Sequence, residues 1–238
     1  MCLIAVAWRV HPHWELVIAA NRDEARDRPS IPLHAWGDRP IVAGRDGRAG
    51  GTWLAVHRDG RVSAVTNQRE PAVPAGPKSR GDLPLAAFDC GIDAASAHGY
   101  SGFHLLLAES RVLWHHSNRE PGPVSLAPGI HAVSNGPLAD RWPKTERARL
   151  ALSAALVVPD LAPASLFPLL ADRTSAPDER LPSTGVGIEL ERALAPAFVD
   201  LPGYGTRCST VVLRSADEVW VVERSFDDGE DREVRWDR

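Results

Sequence analysis

Residues 2–21 read Cys2-Leu3-Ile4-Ala5-Val6-Ala7-Trp8-Arg9, then Val10-His11-Pro12-His13, then Trp14-Glu15-Leu16-Val17-Ile18-Ala19-Ala20-Asn21. Two apolar runs with β-branched members, parted by a polar link containing proline, are the pattern of two strands joined in a hairpin. Neither run alternates apolar with polar residues. Both faces of the pair are therefore expected to be covered, which makes these central strands of a layered fold. The link from Val10 to Trp14 contains no glycine. The glycine-rich turn that follows the first strand of a doubly wound nucleotide-binding fold is thus missing, and that fold is set aside.

The pattern repeats outward from this hairpin. Residues 52–57 and 61–67 are strand-like and flank Arg58-Asp59-Gly60, where Asp-Gly suits a tight turn. Further strands are expected at 103–108, 111–116, 130–134, 209–214 and 219–224, with a helix at 82–90 and a helical stretch from Pro143 to about residue 173. Strands at both ends with helices gathered between them imply an α+β fold built on mainly antiparallel sheets. At 238 residues with 44% hydrophobic positions, the chain is expected to form a single domain spanning 1–238.

Composition narrows the partners. Lys and Arg number 27 against 31 Asp and Glu, a net charge of -4, so no cationic field is available for nucleic acid or an anionic membrane. No run approaches the roughly 20 apolar residues of a membrane span, and the first residues lack a signal-peptide pattern, so integral membrane association is not expected and a cytoplasmic location is. Cys2, Cys90 and Cys208 are scattered and form no C-x-x-C pair, which excludes a disulfide scaffold and structural zinc and leaves no metal site.

Cys2 is the first residue with chemistry to offer. If the initiator methionine is trimmed, one residue carries both a thiol and an α-amine whose ordinary pKa, near 8, suits it to act as base for that thiol. Asn21, Arg22, Asp23 and Glu24 end the second apolar run. Strand periodicity places Asn21 and Asp23 on one face and Arg22 and Glu24 on the other, so that an amide and a carboxylate are expected to face the nucleophile together. Gly51, Thr52 and Trp53 lead into a strand that Asn67 closes in hairpin fashion, and Asn135 holds a comparable strand exit. Asparagine amides are suitable oxyanion donors. Tyr204 and Arg207 precede the last hairpin, where an arginine lowers a thiol pKa or clamps a carboxylate. The proline-rich segment 69–80, with Gly76 and Gly81 as hinges, is expected to be a flap at the site because it leaves the chain just after Asn67.

The strings M-C-L-I at 1–4, N-R-D-E at 21–24, G-G-T-W-L at 50–54, V-T-N at 65–67, S-N-G-P at 134–137 and G-Y-G-T-R at 203–207 resemble, in order and spacing, the NRDE or transport and Golgi organisation family. The resemblance spans nearly the whole chain. It implies an αββα four-layer sandwich of the N-terminal-nucleophile hydrolase type and a role in haem trafficking or in lipid and acyl-CoA homeostasis. A more distant likeness is to cysteine amidases such as bile-salt hydrolases and penicillin V acylases. Carried over, it implies Cys2 as nucleophile, Asp23 as the carboxylate holding its α-amine, Asn67 and Asn135 around the oxyanion, and Arg207 near the thiol. Asn21, Arg22, Glu24, Gly51, Thr52, Trp53 and Tyr204 are expected to line the substrate site. Those amidases carry arginine three residues before the aspartate; this chain has Ala20 there, and Arg22 is read on the opposite strand face. The implied function is hydrolysis of a linear amide or thioester through Cys2. The alternative is a non-catalytic haem chaperone or acyl-CoA and lipid carrier using the same cleft. The expected partner is a small acyl compound or haem. No cofactor is required, and haem enters only as a transient ligand, with His11, His13, His115 and His116 the candidate axial donors.

Overall fold

A computed structural model describes residues 2–71, 76–92, 99–158 and 160–238. The hairpin read from the first residues is present as β1 (Cys2–Trp8) and β2 (Leu16–Ala25), paired antiparallel from Cys2 opposite Arg22 to Trp8 opposite Leu16. Both lie inside a sheet ordered β10 (Gly129–Val133), β1, β2, β12 (Tyr204–Arg214), β13 (Glu218–Ser225) and β14 (Asp231–Asp237), with the short β11 (Asp200–Leu201) paired to β12. A second antiparallel sheet runs in sequence order: β3 (Ser30–Ala35), β4 (Ile41–Asp46), β5 (Leu54–His57), β6 (Val62–Asn67), β7 (Phe103–Ala108), β8 (Leu113–Ser117) and β9 (Val124–Leu126).

Three apolar layers explain why the first strands are apolar on both faces. Ile4, Val6, Trp8, Ile18 and Ala20 meet Val42, Val56, Ala64 and Leu106 of the second sheet. The alternate residues Leu3, Ala5, Val17 and Ala19 face outward onto Ala148 and Leu152 of α2 (Pro143–Ala155) and Phe167 and Leu170 of α3 (Phe167–Leu170). The outer side of the second sheet, with Leu105 and Leu107, is covered by Leu83, Ala87 and Phe88 of α1 (Leu83–Cys90). The order is helix, sheet, sheet, helix: the α+β, αββα sandwich. Each fully buried aliphatic side chain in these layers contributes roughly 1.5–3 kcal/mol. Gly60 takes the left-handed conformation (φ +90°) in the second hairpin, where its N–H bonds to the His57 carbonyl.

Five strands lie where the sequence reading places none: β3, β4, the three-residue β9, the two-residue β11 and β14. β3 and β4 are short, and their pairing shifts register between Ile31 and His34, around Pro32, which cannot donate to a ladder. β14 alternates exposed and half-buried residues in D-R-E-V-R-W-D, an edge strand protected by charge. The helical stretch is also shorter than its periodicity suggests. α2 ends at Ala155, and the chain then makes a 3-10 turn at Pro163–Ser165 before α3 and, later, α4 (Ile188–Ala193). Among the described residues no helix is long and apolar enough to cross a membrane.

The second sheet encloses a histidine pair. His104 Nδ1 and His115 Nε2 lie 3.2 Å apart, both rings are 1% exposed, and they stack at 5.3 Å between centroids. Burial holds His104 down to about 4 and His115 to about 3 from an ordinary 6.5. An unfolded chain takes up these protons near pH 6.5 and the folded chain only near 4 and 3, so the stabilising contribution is complete above 6.5 and is lost as pH falls through that window. The expected result is an unfolding free energy that drops by ~6 kcal/mol between pH 7 and 4, about 3 for each histidine, and a flatter dependence in the double variant His104→Leu/His115→Leu. Denaturant melts across that range check it; a wild-type profile as flat as the variant's refutes it.

Candidate functional site around Cys2

The register of three strands builds the site. Arg22 on β2 is paired with Cys2 on β1 and with Cys208 on β12, so all three side chains lie on one side of the sheet. Between Thr206 and Cys208 the β12 register shifts, with Thr206 opposite Asp23 and Cys208 opposite Arg22. This bulge sets the Thr206 hydroxyl against Asp23, to whose Oδ1 it donates at 2.7 Å. Cys2 opens onto a cavity of about 340 Å³, lined also by Arg22, Asp23, Glu24, Thr52, Trp53, Val65 and Asn67, and by Gly76–Gly81, Arg28, Arg48 and Ser101.

Arg22 is fixed from two sides. Its guanidinium stacks over the Trp53 ring at 4.3 Å and donates to Asp46 Oδ2 at 3.3 Å. Asp46 in turn accepts from Arg28 Nε at 2.6 Å and from the N–H groups of Arg48 and Ala49. The Arg28 bond and these backbone bonds outweigh burial and hold the Asp46 carboxyl below its ordinary range. Trp53 itself fits only because Gly44 lacks a side chain: a Cβ there would sit 2.2 Å from the indole.

Burial pushes the Cys2 thiol up, and the Asp23 charge adds to that; the Asp23 N–H, which faces the sulfur, and Arg22 act the other way. Burial likewise raises Asp23, against which Lys144, the Thr206 hydroxyl and Arg69 work. Tyr204, also raised by burial, donates its hydroxyl to the Asp23 carbonyl at 3.0 Å.

The structure brings Cys2, Arg22, Asp23, Glu24, Thr52, Trp53 and Asn67 to one cavity and places the remaining sequence candidates elsewhere. Arg207 is the bulged residue. Swung out of the ladder, its guanidinium is held by Asp227 at 2.5 Å and by the carbonyls of Ala25 and Arg28, and it does not line the cavity. Asn21 follows strand alternation onto the helix side, where its amide donates to the Leu170 and Ala197 carbonyls at 2.8 and 2.9 Å and accepts from Ser209. By the same register Arg22, read from the sequence as facing away, shares the thiol's face. It supplies the neighbouring cation that Ala20, buried between the sheets, does not.

Asn135 is fully buried outside the cavity, and its amide donates to the Asn67 carbonyl at 2.7 Å. It braces the strand exit that carries Asn67, while Ser134 ties the same corner to the Cys2 carbonyl at 3.0 Å. Gly51 does not line the cavity either; it is the point where two backbones touch, since a Cβ there would meet the Gly81 carbonyl oxygen at 2.4 Å. Of the expected flap at 69–80, residues 72–75 lie outside the described residues. Arg69 is ion-paired to Glu191, and the stretch from Gly76 is bonded to Ser101, Gly99 and Thr52.

Several site residues escape the sequence reading: Asp46, Arg28, Arg80, Arg69, Glu191 and Lys144. Only Lys144 had a legible signal, a lysine next to Pro143 at the start of a helix, where the macrodipole disfavours a cation. For haem the donor set is poor. Among the described residues no histidine lines the cavity; His115 and His116 are buried in β8, the His11 ring is taken up by its own turn, accepting the N–H groups of His13 and Trp14, and the His13 ring faces Glu218 at 3.6 Å.

A cysteine at the start of a central strand of an αββα sandwich, open to a cleft between the sheets, defines the N-terminal-nucleophile hydrolase type of fold. Solved structures agree. A Caenorhabditis elegans N-acylethanolamine-hydrolyzing acid amidase ortholog superposes with a TM-score of 0.50 at 12% identity, covering 89% of this chain and 92% of that one. A C2A mutant of the conjugated bile acid hydrolase from Clostridium perfringens gives 0.56 at 6% identity, covering 98% and 92%. The family model described as Transport and Golgi organisation 2 matches residues 1–228. The human Transport and Golgi organization protein 2 homolog is 32% identical over 260 residues, spanning 96% of this chain and 94% of the relative; the Bos taurus homologue is 33% identical over 264 residues, spanning 95% and 93%. The chain belongs to the Transport and Golgi organisation 2 family.

Two outcomes follow from this geometry. Arg22→Met, made in a Cys90→Ser background because Cys90 is exposed, raises the pH of half-maximal Cys2 alkylation by about one unit, read by mass mapping of the labelled peptide; an unmoved midpoint refutes the role given to Arg22. Gly51→Ala forces two backbones apart and lowers stability by ~1–3 kcal/mol in denaturant melts.

Proposed function

We propose that the chain is a cysteine hydrolase of acyl amides or thioesters, with the Cys2 sulfur as nucleophile. The observation that carries this reading is the shared face of Cys2 and Arg22 at the wall of a cavity that also holds Asp23 and Asn67. With Met1 removed, the α-amine of Cys2 takes the thiol proton as the sulfur adds to the substrate carbonyl carbon. The Asn67 amide stabilises the oxyanion, and the departing amine or thiol takes the proton. Water then cleaves the acyl-enzyme, releasing the acid and restoring the thiol. Asp23 holds the α-amine; Tyr204, Thr206 and Asn135 keep Asp23 and Asn67 in place. The two solved structures of this fold are described as an N-acylethanolamine-hydrolyzing acid amidase ortholog and a conjugated bile acid hydrolase, which supports the reaction class.

The cations lining the cavity support an anionic acyl compound such as an acyl-CoA. Among the described residues Arg22 and Arg28 are paired to Asp46, whereas Arg48, Lys78 and Arg80 line the same cavity with no ion-pair partner.

A second reading is favoured by the buried, raised thiol: a carrier that holds the same anionic acyl compound, or haem through its carboxylates, without bond cleavage. Localisation in the cytoplasm fits either reading. Intact mass after incubation with acyl amides and acyl thioesters separates the two. As a hydrolase the protein gains acyl mass and releases free acid, and Cys2→Ala lowers release by about 10³-fold or more. Saturable binding with no adduct, equal in wild type and Cys2→Ala, overturns the hydrolase and supports the carrier.

A further inference from the structure

On the far side of the first sheet from Cys2, the helix layer is incomplete. Ser209 and Arg224 are paired across β12 and β13 and point to the helix side, as Val211 and Val222 do two residues away along each strand. α3 ends at Leu170, and beyond it Ser209 and Arg224 lie against a cavity of about 270 Å³ walled by Phe167, Phe198 and Phe226. That is close to the lower end of the sizes of ligand pockets, roughly 300–1,000 Å³. Phe198 and Phe226 meet edge to face, 5.0 Å between centroids at 86°, so their rings form a right-angled corner, and Phe226 is left 37% exposed. A third ring entering this corner covers the exposed apolar surface and meets one ring by its face and the other by its edge, the two arrangements that aromatic pairs favour.

The charged groups lining the cavity are both cations. Arg173 lies over the Phe198 ring at 4.2 Å and Arg224 over the Phe167 ring at 4.4 Å, while the carboxylates that pair with them, Asp200 and Asp231, stand outside the lining. Asp227, Asp228 and Glu230, in the turn after β13, are held by Arg207 and Arg232 and do not line it either. Arg224 is committed, its Nε and Nη2 forked onto Asp231 at 2.9 and 2.8 Å. Arg173 is not. Among the described residues it donates through Nη1 alone, to Asp200 at 3.2 Å, and Asp200 also accepts from Arg26 at 2.6 Å. We propose that this cavity is a second ligand site, one that takes a flat aromatic carboxylate, with the ring in the corner of Phe198 and Phe226 and the carboxylate on the open edge of Arg173. The planar guanidinium fork matches a carboxylate and keeps its charge at every physiological pH. Ser209 at the floor has given its hydroxyl proton to Asn21 at 2.6 Å, so polar recognition falls to the arginine. The two cavities share no lining residue and the sheet lies between them, so the inference stands apart from the hydrolase reading.

The experiment is calorimetric titration of the full chain with 2-naphthoate, with 2-naphthalenemethanol as the uncharged ring and octanoate as the carboxylate without one. 2-Naphthoate is expected to saturate a single site, and the other two to bind about tenfold more weakly or worse. Arg173→Gln weakens 2-naphthoate by about tenfold and leaves the alcohol where it was. Ala171→Phe, which fills the cavity from an exposed position in its lining, abolishes binding. If Ala171→Phe lowers the melting temperature, Phe226→Ala, at an exposed ring, carries the same comparison with a loss of about tenfold. Arg80→Ala, which alters the Cys2 cavity alone, keeps the wild-type Kd. The proposal is overturned by an absence of saturable 2-naphthoate binding, by equal affinity for the alcohol, by a Kd that Arg173→Gln and Ala171→Phe leave unmoved, or by binding that is lost in Arg80→Ala.

Discussion

The pairing of β2 with β1 on one side and β12 on the other is the constraint on which the rest depends. In an antiparallel ladder the side-chain period is two, and a slip of one residue exchanges every inward group for its neighbour. With Cys2 opposite Arg22, the guanidinium enters the space between the sheets and Asn21 goes to the helices. One residue out of register, the amide would face the thiol, and Arg22 would be buried among Leu170 and Ala197. The apolar residues before it hold the register: Ile4, Val6, Trp8, Ile18 and Ala20 must all reach the intersheet core together, and Leu3, Ala5, Val17 and Ala19 the helix-facing one. Packing worth many kcal/mol thus fixes the position of a few polar groups that on their own would contribute little to it.

How much of this was legible in the sequence follows from the kind of signal each part leaves. The central hairpin was, because apolar runs without alternation mean burial on both faces. The gathering of Asp23 and Asn67 near Cys2 was legible from ordered motifs. The direction of side chains was not. Asn21 and Arg22 were assigned by alternation within one strand, and only the partner strand decides which alternate set the thiol joins. Arg207 went astray for another reason: a bulge adds a residue to one strand only, and G-Y-G-T-R carries no mark of which position will be extruded. Asn135 has the residue type of an oxyanion donor, but its strand exit is occupied by a structural bond to Asn67. β3, β4 and β14 are short, proline-interrupted or charged, and are held by neighbours more than by their own pattern.

The site also shows how a fold places opposite charges without letting them collapse onto one another. Arg22 and Arg28 share Asp46, and Arg69 is locked to Glu191. Each of these pairs is held by hydrogen bonds besides its Coulomb attraction, the condition under which buried ions are tolerated. Arg22, Arg28 and Asp46 form a fixed frame at the wall of the cavity. Within the frame the two groups with chemistry, Cys2 and Asp23, both have their ionised forms disfavoured by burial.

That frame separates two tasks that would otherwise conflict. An anionic ligand drawn into the cavity adds negative charge close to the sulfur and opposes formation of a thiolate. The conflict is avoided if the ligand's charge and the thiolate use different cations. Among the described residues Arg48, Lys78 and Arg80 line the cavity with no ion-pair partner, whereas Arg22 is tethered by Asp46 and Trp53 on the thiol's side of the sheet. The charge of the ligand is then neutralised where it binds, and Arg22 keeps its effect on the sulfur. A carrier needs only the outer set. Under the proposed hydrolase reading the buried Arg22 has a further use, since its charge favours the Cys2 thiolate.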